Sequence, residues 1–376
     1  MFLFERIIGV GIYFFITIIF SVLISKSSIK KIGIILFFLN IIIGILAFFY
    51  LPSESADLYR LTIFKNQYSI MTFEQIKLIM EKSSTPIAIL YLYLIGKLKY
   101  DGFLPMITSL IFFGNSFAIL TKFSKRYSIK PKNISIGLLF FLSSGVFIEV
   151  ISGIRSMLAF SILAMCIYNE FIDEKPIIYD SIWYLIASLM HPVALVLTII
   201  RFIFIFFEGS KSVSKIIFNF TIFIISFILV IIYGDKYINS TIDIIKHYIG
   251  SSVYRYVWEY IIGFFMLIVI INMLIYYSNN IKKYYKDNKL NKLYKFSCLI
   301  TTIIIIMSFE YSTFHRFILL LSILVLPILL IDLEFCANFN NKKYNFRNFV
   351  IFMSITILFF ACFRGNLSGL KFFILN

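Results

Sequence analysis

Apolar runs of roughly 15 to 20 residues recur along the whole chain and are separated by shorter polar tracts. Each run is long enough to cross the hydrocarbon core of a bilayer as a helix. The runs are continuous and lack the two-residue alternation of a barrel strand. A backbone in lipid must satisfy its own hydrogen bonds. The pattern therefore predicts an all-α, polytopic integral membrane protein with about 12 membrane segments, within a range of 11–13.

The polar tracts are rich in lysine and arginine, which favour the cytoplasmic side of a membrane. Keeping the basic tracts inside gives two short crossings within 177–207 and ten other spans, at about 8–25, 32–50, 103–121, 134–151, 155–171, 216–233, 257–277, 296–309, 317–331 and 349–363. Both termini are then outside. No convincing repeat divides the chain, so residues 1–376 are predicted to form a single transmembrane domain.

The loops of this domain are unequal in length. Long periplasmic loops are predicted at about 51–101 and 234–256, and a Lys-rich cytoplasmic loop at about 278–295. Within the first loop, segments at about 72–82 and 86–98 have helical character. Counting the second, apolar segment as a span would place the following basic tract outside, so 70–100 is predicted to be an outer loop with juxtamembrane helices.

The stretch 177–207 is too long for one ordinary span. A single crossing there would place the later lysine-rich tract outside, whereas two crossings that meet near His191-Pro192 keep it inside. Proline removes a backbone donor and disfavours helix at the preceding residue, so a break at this point is expected. Arg201, in the second half, is interpreted as a side chain that snorkels to the inner surface.

Composition narrows the class further. Hydrophobic residues make up 60% of the chain and charged residues 14%, and the net charge of +16 sits in the inter-span tracts. That distribution argues against nucleic acid as a partner. The four cysteines lack metal or redox spacing, and the chain has no Asp-x-Asp pair, Gly-rich phosphate loop or nucleophile elbow. We therefore expect no metal and no cofactor.

Ionisable groups within or beside spans are costly and become candidates for function. Arg155 starts the span at 155–171, close to Glu149, and could form either a structural ion pair or a phosphate clamp. His191 stands at the predicted break. It could be a histidine bonded to a helix carbonyl, a general base, or a donor to a sugar or phosphate.

A second set of ionisable candidate residues lies in the predicted outer turns. Glu310, His315 and Arg316 occur within seven residues and could be a solvated loop or part of a pyrophosphate site shared with Arg155. Asp57, followed by Tyr59, comes after the second span; it could be an ordinary loop carboxylate or a base toward a sugar hydroxyl.

Three stretches resemble the Wzy/EpsG-type polymerases of bacterial surface polysaccharides. They are Asp57-Leu-Tyr59, Gly153-Ile-Arg155-Ser-Met-Leu-Ala159, and Ala187-Ser-Leu-Met-His191-Pro. The spacing from the arginine to the histidine is the most specific of the three. Where the family often has an arginine before the acidic motif, this chain reads Tyr50-Leu-Pro-Ser.

The resemblance implies an O-antigen or capsule polymerase with a lipid-dependent glycosyltransferase-like architecture. It would join undecaprenyl-pyrophosphate-linked oligosaccharides on the periplasmic face of the bacterial inner membrane. From the resemblance together with the cluster in the outer turn, we expect catalytic roles for His191, Asp57 and Glu310, and pyrophosphate or substrate binding by Arg155, Arg316, His315 and Tyr59. Membrane lipid is an implied partner, and a chain-length regulator and a flippase are candidate partners.

Two other classes stay open at this point. A flippase of the same pathway would carry its charges along a cavity reachable from both sides and would have short loops. A glycan ligase, an acyltransferase or another lipid-dependent glycosyltransferase would use a similar outer site. The clustering of polar candidates outside, beside two long outer loops, favours an enzyme over a transporter.

Overall fold

The computed structural model describes residues 2–50, 52, 57–144, 146–207, 257–282, 287–309, 311–339 and 346–367. The fold of these residues is all-helical, and none of them lies in a strand. The helices are α1 Phe2–Lys26, α2 Ile29–Phe48, α3 Asp57–Ser69, α4 Phe73–Lys82, α5 Pro86–Gly96, α6 Phe103–Arg126, α7 Pro131–Ser143, α8 Val146–Ser152, α9 Ile154–Phe171, α10 Ser181–Met190, α11 Pro192–Phe207, α12 Val257–Tyr276, α13 Asn288–Ile306, α14 Tyr311–Leu324, α15 Leu326–Phe339 and α16 Phe346–Leu367.

Four described helices are long and apolar enough to cross a membrane, and a bent helix pair would make a fifth span. Shorter apolar helices occupy several other predicted spans, including α10 and α11. The count of about 12 segments therefore stays a prediction. The predicted span at 216–233, the outer loop at 234–256 and Glu310 lie outside the described residues.

The centre of the protein is formed by α7, α9, α14 and α15. Side chains from Asn133 to Ser143 are all buried, and so are nearly all of those from Phe314 to Phe335. Around this centre, α1 packs against α7 and α16, α2 against α6, and α12 against α14 and α16. A Cβ on Gly137 of α7 would come 3.0 Å from Leu330 of α15, so the two helices approach closely there.

Two of the predicted spans differ in detail from the structure. The expected span at 134–151 is divided into α7 and α8 near Ser144, and the expected span at 317–331 starts earlier, as α14. It then bends by 52° into α15. Pro327 accounts for the bend, because its ring lacks an N–H and clashes with the carbonyl four residues earlier.

The first long loop contains a helix that the sequence pattern did not reveal. The predicted helices at 72–82 and 86–98 are present as α4 and α5, but α3 precedes them. The ammonium of Lys65 in α3 is fully buried and pairs with Asp101 just before α6. A Cβ on Gly96 would lie 2.8 Å from the Lys65 carbonyl oxygen. These contacts hold α3 against α5 and the start of α6.

The predicted break at His191-Pro192 is present, since α10 ends at Met190 and α11 begins at Pro192. The prediction that Arg201 snorkels is wrong, because its side chain is fully buried. Its Nε donates to Glu170 Oε2 at 2.7 Å, and a second guanidinium nitrogen pairs with the other carboxylate oxygen. The pair ties α11 to the end of α9.

Tracts predicted to share the cytoplasmic side lie together. Side-chain contacts join four of the predicted inner segments: Arg126 to Asp173 at 3.0 Å, Lys289 to Glu174 at 2.7 Å, Tyr127 to Asp287 at 2.6 Å, and Asn133 to Glu334 at 2.8 Å. These tracts therefore lie at one end of the bundle, and the side of the membrane that they face stays a prediction.

Candidate functional site

The candidate site lies at the opposite end of the bundle, around the Arg155 guanidinium. Arg155 is exposed at the start of α9, and the charges of Asp57, Arg60 and Arg316 act on it. Arg155 and Arg316 in turn act on the ring of His191. Four distant stretches of the chain therefore meet here: the start of α3, the start of α9, the α10–α11 break and the first turns of α14.

Local geometry explains how Arg155 is presented. Gly153 is the N-cap residue of α9, and its N–H donates to the Glu149 carbonyl at 2.7 Å. A Cβ on Gly153 would lie 3.0 Å from that oxygen. Ser156 donates to the Gly153 carbonyl at 2.9 Å. The tight turn between α8 and α9 thus places Arg155 in the first turn of α9, where the helix dipole also favours an anion.

The orientation of His191 follows from the break. Its backbone is extended, and its Nδ1 accepts a hydrogen bond from the Val193 N–H at 3.3 Å. A ring that accepts at Nδ1 carries its hydrogen on Nε2 when neutral. Burial lowers the pKa of His191, and the charges of Arg316 and Arg155 lower it further, so the ring stays neutral more readily. His191 is therefore arranged as a hydrogen-bond donor through Nε2.

His315 and Arg316 lie side by side on α14 but have different surroundings. The His315 side chain is 3% exposed, and its Nε2 lies 3.3 Å from Glu149 Oε1. Arg316 is only partly buried and acts electrostatically on Arg155 and His191. The contact between His315 and Glu149 links α14 to α8, and so holds Arg316 near the start of α9.

The first turn of α3 supplies both charge and aromatic surface. Asp57 pairs with Arg60, three residues later on the same helix face, and Tyr59 is exposed. Two residues of this helix, Arg60 and Tyr68, join the site although sequence reasoning did not select them. Burial raises the pKa of Tyr68, and the positive charge of Arg155 opposes that shift. The three-residue spacing from Asp57 was the available signal for Arg60.

Among the described residues, the site carries three guanidinium groups and two carboxylates, those of Asp57 and Glu149, and this excess of positive charge suits a multiply charged anion. Within the described ranges, no three His, Cys, Asp or Glu side chains are grouped as metal ligands would be. A family model described as the EpsG family matches residues 98–374.

The chain belongs to the EpsG family.

The match confirms the family resemblance, and it covers the stretches around Arg155 and His191 but not Asp57-Leu-Tyr59. It includes Arg155, His191 and Arg316, whereas Asp57 and Arg60 precede it. Membership suggests a polysaccharide polymerase-like membrane protein. Comparison with curated proteins and with solved structures gave no match.

Proposed function

We propose that this EpsG-family protein polymerises a surface polysaccharide on the outer face of the bacterial inner membrane. It would transfer a glycan from undecaprenyl pyrophosphate to a lipid-linked repeat unit. The convergence of Asp57, Arg60 and Arg316 on the Arg155 guanidinium carries this proposal. A pyrophosphate needs several fixed positive charges, and an acceptor hydroxyl needs a base.

In the proposed reaction, an acceptor hydroxyl oxygen attacks the anomeric carbon of the donor glycan. The bond from that carbon to the pyrophosphate oxygen breaks, and its electron pair leaves with the lipid pyrophosphate. Arg155 and Arg316 would stabilise the charge that develops there, because charges that are already in position need no reorganisation during the reaction. Because His191 is arranged to donate, Asp57 is the better acceptor for the hydroxyl proton.

Purified protein supplied with lipid-pyrophosphate-linked repeat units tests the proposal. A ladder of products on a gel indicates a polymerase. A single transfer would indicate a ligase, and the absence of any product would indicate a transporter. Either of these two results would overturn the proposal.

Arg155→Ala should lower the rate of ladder formation by about 10²–10³, the loss typical for removing one preorganised charge-stabilising donor. Arg126→Ala is the matched control, since Arg126 lies at the other end of the bundle and pairs with Asp173. Its ladder should match that of the parent protein. Equal losses in the two variants would contradict the assignment of Arg155.

A further inference from the structure

A cavity of about 480 Å³ lies between α5, α6, α9 and α10. Its walls are mostly aliphatic or aromatic, and polar side chains line it mainly at one end, where Asn169 and Asp180 form a hydrogen bond of 3.1 Å. Leu94 and Trp183 line the cavity and are each about half exposed, so it opens as a groove on the side of the bundle.

The groove runs along one stripe of α9. Leu158, Ile162, Met165 and Asn169 line it at spacings of three and four residues. At the helical rise, this stripe extends about 16 Å from Leu158 to Asn169. Since α6 and α9 are both candidate membrane spans, the groove follows the direction in which these helices would cross the bilayer.

The outer end of the groove meets the charged site. Leu158 is one helical turn after Arg155 on the same stripe, and Met190, which lines the groove, directly precedes His191. A ligand with its anionic head at Arg155 could therefore place an apolar chain in the groove. Free phosphate would make no contact with the apolar walls. An uncharged lipid would leave the guanidinium groups without an anion.

We infer that this groove binds the polyprenyl chain of a lipid pyrophosphate whose head group lies at Arg155. The inference rests on the proposed function for the identity of the head group. Lipid binding can nevertheless be measured without any glycosyl transfer. The proposed function and the inferred groove can therefore be refuted independently of each other. A protein that makes no polymer would overturn the proposed function, and a protein that shows no saturable lipid binding would overturn the groove.

Trp183 provides the probe, because the chain has only two tryptophans and Trp258→Phe removes the other. In detergent micelles, a polyprenyl pyrophosphate brominated on its chain should quench Trp183 fluorescence in a saturable way. The matching brominated polyprenol should bind more weakly. Arg155→Ala should reduce the affinity for the pyrophosphate lipid toward that of the polyprenol, and it should leave the affinity for the polyprenol unchanged.

Filling the groove should weaken binding. In the single-tryptophan background, Ile162→Phe is expected to weaken the apparent affinity about tenfold, because it overpacks an apolar site. Ile203→Phe is the matched control, since Ile203 is exposed on α11 and does not line the groove. Its affinity should be unchanged.

A second pair of variants covers the case in which Ile162→Phe does not fold. Leu94→Gln alters the exposed rim of the groove, and Ile203→Gln makes the same change outside it. Only Leu94→Gln should weaken the quenching. Quenching that rises linearly with the mole fraction of brominated lipid, or that falls equally in both members of a pair, would mean bulk lipid contact and would overturn the inference.

Discussion

Arg201→Met removes one partner of the buried ion pair that ties α11 to α9. Arg201 is fully buried, and the Glu170 side chain is 15% exposed. Besides its two contacts with Arg201, Glu170 accepts a hydrogen bond from the Tyr184 hydroxyl at 3.1 Å. The Arg201 guanidinium also lies 4.4 Å from the ring centroid of Phe202. Arg201→Met would leave the Glu170 carboxylate largely buried without its cation.

Stranding one partner of a buried pair costs about 3–5 kcal/mol, whereas replacing both partners by apolar residues is often neutral. We therefore expect Arg201→Met to lower the free energy of unfolding by about 3–5 kcal/mol. The double variant Arg201→Met/Glu170→Met should stay within about 2 kcal/mol of the parent. Because α11 starts directly after His191, the single variant should also lose ladder formation.

Equilibrium unfolding in mixed micelles with increasing SDS, followed by circular dichroism, measures these free energies. Arg126→Met is the matched control, because its pair with Asp173 is partly exposed and should be worth less than about 1 kcal/mol. The reasoning is refuted if Arg201→Met costs no more than Arg126→Met. It is also refuted if the double variant is as unstable as the sum of its two single variants.

Two further predictions concern the contact between α2 and α6 and the Lys65–Asp101 ion pair that anchors α3. Gly102→Ala should destabilise the fold by about 1–3 kcal/mol in the same unfolding assay, because its Cβ would lie 2.2 Å from the Phe48 carbonyl oxygen. Asp101→Asn should cost more than Lys65→Met in that assay. The first change leaves a fully buried ammonium unpaired, at about 3–5 kcal/mol, whereas the second leaves a carboxylate whose side chain is 56% exposed to solvent.

Each of these predictions has its own control. Gly33→Ala tests the same helix pair, and its Cβ would make an ordinary 3.5 Å contact with Thr121, so stability should be nearly unchanged. Similar losses in the two glycine variants would contradict the close approach at Gly102. For the α3 anchor, a larger loss in Lys65→Met than in Asp101→Asn would reverse the predicted order and contradict the burial argument.

The helical class, most helix positions and the break before Pro192 could be predicted from the sequence. These features depend on local properties: the length of an apolar run, the missing N–H of proline and the positions of basic tracts. The family could also be recognised locally, from Arg155, His191 and the residues beside them. The wrong interpretation of Arg201 marks the limit, because a lone arginine in an apolar run gives no sign of a partner 31 residues away on another helix.

Only the tertiary structure decided how these elements meet. The residues of α3 form no apolar run, so their pattern does not predict this helix. Packing with α5 and the ion pair of the buried Lys65 with Asp101, just before α6, hold α3 in place. The tertiary structure also brought Arg60 and Tyr68 to Arg155, and it arranged four helices around the groove beside that arginine. Contacts between residues far apart in the chain depend on how helices pack, whereas hydrophobic patterning specifies only which segments are helices and which face is apolar.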